Sequence, residues 1–142
     1  MEDIRIERMA ETIARYSAKV SKGELVSIRG GVVAEPLVRA LYAECLKLGA
    51  FPYTQVGLPG MDELFFRYAN KEQIAYVSPI SKFEVGKVDV LISILSETNT
   101  RRLSGVNPKK QAAASVARQS IMKTFMKRSA EYERTKGKKG LR

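Results

Sequence analysis

Histidine and tryptophan are absent from this 142-residue sequence, and cysteine occurs once, at Cys45. Without histidine the chain lacks the commonest general base, the commonest transition-metal ligand and the usual partner of a serine or cysteine nucleophile. One cysteine builds neither an intrachain disulfide nor a structural zinc site, which takes four Cys or His ligands. By itself, then, the sequence is a poor candidate for an enzyme, and no residue in it is assigned a catalytic, cofactor-binding or metal-ligating role. No apolar run approaches the ~20 residues of a membrane span. The first residues, "MEDIRIERMAE", are charged from the second position on. They do not read as a signal peptide, and together with the lone cysteine they point to the reducing cytoplasm.

What is present is a globular composition, 44% hydrophobic and 28% charged, with a net charge of +10. That charge is unevenly placed. Residues 1–100 carry 12 basic and 13 acidic side chains, whereas residues 101–142 carry 13 and 2. An asymmetry of this kind suggests an anionic partner for the last third: a nucleic acid, a membrane surface or an acidic protein face.

The periodicities predict alternating helices and strands. Ile6, Met9, Ile13, Tyr16 and Val20 recur at helical spacing over residues 2–20, and Gly23 suits the left-handed position after a helix end. "ELVSI" reads as a strand. Glu35-Pro36 opens a second helix with proline in its first turn, Leu37, Leu41, Cys45 and Leu48 forming one stripe and Val38, Tyr42 and Leu46 a second. "FPYTQVG" is a second strand, so that Leu25–Gly57 forms a parallel strand–helix–strand unit. Short helices broken at Pro59-Gly60, Asn70 and Ser78-Pro79 follow. "VDVLISIL" reads as a central strand, covered on both faces. Asn107-Pro108 starts a long basic helix to about Tyr132, with Ala113, Ala117, Ile121 and Phe125 at intervals of four, and the tail "RTKGKKGLR" should be loose unless something holds it. The expected fold is α/β: an open, mostly parallel sheet in a three-layer α-β-α sandwich, with a long basic C-terminal helix.

Four features compete for a functional role. Gly30-Gly31, between a strand and a helix, suggests a phosphate cradle, but the following Val32, Val33, Ala34, Glu35 and Pro36 match neither G-x-G-x-x-G nor a P-loop. Glu35 and Pro36 also stand where backbone N–H groups would meet an anion, so a structural turn is the better reading. Cys45 on an apolar stripe reads as a core residue. Glu97 and Asn99, after the strongest strand, lie where open α/β sheets bind ligands, or cap the next turn. Lys109, Lys110, Arg118, Lys123, Lys127 and Arg128 are scattered around their helix, without the stacking aromatics of an RNA platform.

The succession "SKGELVSIRGG", "AEPLVRALYAECLKLGAFPYTQV" and "LISILSETNTRRLSGVNPKKQAAASVAR" resembles the N-terminal half of the thermophilic metallo-aminopeptidases, the aminopeptidase T and S group of peptidase family M29, over about residues 8–130. The resemblance implies a hydrolase family whose two divalent metal ions (cobalt, zinc or magnesium) sit in a C-terminal catalytic domain not represented in this sequence. It carries over no catalytic residue. It further implies a single α/β domain over residues 1–132, residues 133–142 being a basic tail or the start of a linker. A homodimer, peptide substrates for the full-length protein and no membrane or nucleic-acid partner are the matching expectations. The alternative is a stand-alone basic α/β module that binds nucleic acid or another polyanion.

Overall fold

A computed structural model describes residues 3–95 and 105–142. The first helix, α1 (Ile4–Thr12), is capped by Asp3, whose carboxylate accepts from Arg5 N, and it runs into a π-helical turn, Ile13–Ser17. The face that α1 and this turn bury is made by Ala10 and Ala14; Met9 and Tyr16 of the expected stripe are exposed. Alanines let α1 approach the neighbouring helix closely, and the π turn inserts one residue and rotates the later positions off the stripe. Gly23 takes the left-handed conformation, φ +84°, and donates to Gly49 O.

Strand β1 (Leu25–Gly31) extends through both glycines, and a 3₁₀ turn (Val32–Ala34) leads into α2 (Glu35–Lys47) with Pro36 in its first turn. Strand β2 (Phe51–Gly57) pairs in parallel with β1, Leu25 opposite Phe51 and Gly31 opposite Gly57. Three short helices follow: α3 (Met61–Tyr68), α4 (Lys71–Ala75) and α5 (Pro79–Lys87). Their breaks fall where the sequence places them: Gly60 at φ +82°, a capping box between Asn70 and Gln73, and Ser78 accepting from Ile80 N ahead of Pro79. Strand β3 (Val90–Ser93) pairs in parallel with the other side of β1, and α6 (Pro108–Arg134) begins at an Asn107 cap.

The sheet order is β2-β1-β3, all parallel. Among the described strands β1 is therefore the central one, and β3, within the apolar run at Val88–Leu95, lies at an edge instead. Its side chains are apolar because both faces are covered all the same. Val90 and Ile92 join Val26, Ile28, Val38 and Leu41 under α1 and α2, while Leu91 joins Val85, Val88, Ile121 and Phe125 under α5 and α6. Helices on both faces make the three-layer α/β sandwich.

The tail is held. Leu141 is 1% exposed inside the α5–α6 cluster, and Arg142 pairs with Glu24, donates from Nε to Ala18 O at 2.7 Å and stacks over the Tyr132 ring. The reversal needs glycine at Gly140: its φ is +97°, and a Cβ there would stand 2.3 Å from Arg128 O.

Candidate functional site

Gly30 and Gly31 make no phosphate cradle and no turn; they are the last two residues of β1, opposite Val56 and Gly57. Gly30 is needed for packing, since an added Cβ would meet Ala34 Cβ and Val38 Cγ2, both at 3.3 Å, as α2 starts over the strand. Glu35 at the head of α2 forms an ion pair with Arg39 at 2.9 Å. Cys45 is fully buried; burial first, and then the charge of neighbouring Glu44, push its thiol from an ordinary 9.0 up to about 11. At neutral pH it is therefore a thiol with almost no nucleophilic thiolate. Glu97 and Asn99 lie outside the described residues.

The basic set divides. Lys110 Nζ donates to Phe66 O at 3.0 Å and Ala69 O at 3.5 Å, and Arg128 donates to the Val85 and Val88 carbonyls. Each cation thus sits at the C-terminal end of a short helix, α3 or α5, where the unpaired carbonyls concentrate negative charge. Lys109, Arg118, Lys123 and Lys127 remain exposed along α6.

The most elaborate polar assembly is one the sequence reading does not single out. β1 and β2 present Arg29, Tyr53 and Gln55 on the face covered by α5, because side chains two apart on a strand share a face and Arg29 lies opposite Gln55. Glu84 of α5 closes over them. Its buried carboxylate accepts from Tyr53 Oη and from Gln55 Nε2, both at 2.6 Å, and forms an ion pair with Arg29. With three donors on one carboxylate, the charge of Glu84 is fully compensated. Among the described residues no second carboxylate is recorded on these side chains. The cluster anchors α5 to the sheet and holds Arg29 at the carboxyl end of β1. The available signal was alternation, with Ser27 and Arg29 on one strand and Tyr53 and Gln55 on the next, each polar every second residue.

A groove of about 670 Å³ runs between α1 and α2, walled by Glu7, Glu11, Glu35, Arg39, Glu44 and Lys47. Its charges largely answer one another: Lys47 reaches Glu44 at 3.1 Å, and Arg15 reaches Glu11 and Glu44 at 3.6 Å. Among the described residues no group of three or more His, Cys, Asp or Glu could hold a metal ion. Elsewhere Glu24 is bound to Arg142, and Asp89 accepts from Leu25 N. No described helix is long and apolar enough to cross a membrane.

Comparison with known proteins places this geometry. A family model described as thermophilic metalloprotease (M29) matches residues 2–135. Among solved structures, wild-type AmpT from Thermus thermophilus superposes with a TM-score of 0.74 at 20% identity, covering 91% of this chain and 34% of its own. At that identity the likeness speaks for the fold, and the chain spans about a third of the length of that structure. No curated protein sequence matches it significantly.

Proposed function

Because the chain belongs to the M29 thermophilic metalloprotease family, we propose that it is the non-catalytic N-terminal domain of a metal-dependent aminopeptidase that removes N-terminal amino acids from peptides. In this reading residues 1–132 form the domain, residues 133–142 fold back onto it before the polypeptide continues toward a catalytic domain, and two divalent metal ions are held by that second domain. The N-terminal domain then shapes access to the active site or contributes to a homodimer. The cytoplasm is the compartment that suits its single, buried cysteine. The observation that carries the proposal is the family match over residues 2–135, in a chain whose own side chains offer no metal-ligand group among those described.

The polyanion-binding alternative loses support from the structure, because Lys110 and Arg128 are engaged with main-chain carbonyls of their own fold. The test of the main reading has two parts. The DNA downstream of Arg142 is read, and cleavage of aminoacyl-4-nitroanilides is assayed with added cobalt or zinc. The 142-residue chain is expected to be inactive, and the protein extended by a downstream Glu- and His-bearing domain to be active. Metal-dependent turnover by the 142-residue chain overturns the proposal.

A further inference from the structure

The two edges of the sheet differ. On β2, Phe51 N donates to Glu24 O, so Phe51, Tyr53 and Gln55 turn their main chain toward β1, and Pro52, Thr54 and Val56 face outward. Pro52 stands at an outward position, where it has no N–H to offer a further strand. On β3 the opposite holds. Ile94 N donates to Arg29 O, so Val90, Ile92 and Ile94 turn inward, and Leu91 and Ser93 turn outward; Asp89, just before the strand, donates its N–H inward to Leu25 O and presents only its C=O on the outer side. Two of those outward groups are already used: Arg142 N donates to Asp89 O at 3.2 Å, and Leu91 N donates to Arg142 O at 2.8 Å.

One residue bonded through both its N–H and its C=O to the two residues flanking Val90 is the repeating unit of a parallel ladder. Arg142 therefore runs alongside Val90 in the direction of β3. It is a built position: Leu141 is seated in the core, and the Arg142 side chain is held by Glu24, Ala18 O and Tyr132. Between β3 and Arg142 lies α6, 27 residues packed on one face of the sheet, the kind of crossover that parallel neighbours need.

We infer that the outer edge of β3 is the seat of a fourth parallel strand, with Arg142 as its first residue and the polypeptide that follows it in the full-length protein as its occupant. The sheet would then run β2-β1-β3-β4, growing away from the edge that Pro52 guards. The inference rests on the reading of this chain as part of a longer polypeptide, in keeping with the 34% of AmpT that it covers. Beyond Leu91, the outward groups of Ser93 are the next rung, and no other described segment pairs with them.

The test is amide hydrogen exchange. In the full-length protein, Ser93 N–H is expected to exchange at least about a hundredfold more slowly than an unstructured amide; a faster rate overturns the fourth strand. In the 142-residue chain, with Leu91 N–H still slow as the sign of folding, Ser93 is expected to exchange fast. A Ser93 equally slow in both proteins overturns the inference, because a segment within residues 1–142 would then cover the edge. A reading frame that ends at Arg142 is a separate result, which overturns the longer-polypeptide reading and removes the occupant with it.

Discussion

Glycine positions show how differently one residue type acts in this chain. Gly30 has an ordinary backbone conformation, yet its missing side chain lets α2 pack against β1 and beside Ile94, whereas a Cβ on Gly57, the partner of Gly31 across the ladder, would meet nothing within 4 Å. Gly30→Ala is therefore expected to destabilise by about 1–3 kcal/mol through overpacking. Gly57→Ala, at a position without strain, should stay within about 0.5 kcal/mol of the parent. Urea denaturation of the two variants checks this; equal midpoints would show that the strand–helix contact at Gly30 yields freely. Pattern reading found the glycine pair but misassigned it, because a dipeptide that suits a turn equally suits a strand end beneath a helix. The distinction lies in Ala34, Val38 and Ile94, whose closeness depends on packing.

Among the elements, α6 joins the two functional readings. Its charge suggests a polyanion, but two of its cations serve the short helices beneath it. Removing the Arg128 guanidinium leaves the Val85 and Val88 carbonyls without their donor. Loss of a charged hydrogen-bonding group at a partly buried site costs about 1–3 kcal/mol. Arg128→Met is expected to lower stability by that amount. Lys127→Met removes the same charge from the exposed neighbouring position and should change stability by no more than about 0.5 kcal/mol. Thermal unfolding of both variants decides the matter: equal losses would return Arg128 to the general basic surface. The start of α6 at Asn107-Pro108 was legible, as a side-chain cap followed by proline is a local signal. The targets of its lysine and arginine were not, since they lie 40 or more residues away in sequence.

At the scale of the whole molecule, the tail ties the C-terminal end to the sheet and to the connection that leads into β1. Leu141 fills the space between α5 and α6, while Arg142 reaches Ala18 and Glu24 across more than 100 residues of sequence. Leu141→Ala is expected to cost about 2–5 kcal/mol, the range for a fully buried leucine. Lys138→Ala, in the exposed part of the same tail, should be near neutral. A urea midpoint for Leu141→Ala indistinguishable from that of Lys138→Ala would mean that the tail is a loose appendage.

The sequence by itself determined the alternation of helices and strands, the helix starts at Pro36, Asn70, Ser78 and Asn107, the parallel β1–α2–β2 unit and hence the α/β class. Those features depend on hydrophobic period and on caps, which are written in residues a few positions apart. Only the tertiary structure decided that β1 is central among the described strands, that alanines rather than Met9 and Tyr16 make the buried face of α1, that Glu84 gathers Arg29, Tyr53 and Gln55, and that the basic tail folds back to β3. Each of these depends on contacts between distant segments, where the free energy of burying a side chain or pairing a charge overrides local preference, and no pattern within a short window encodes which distant segment will supply the partner.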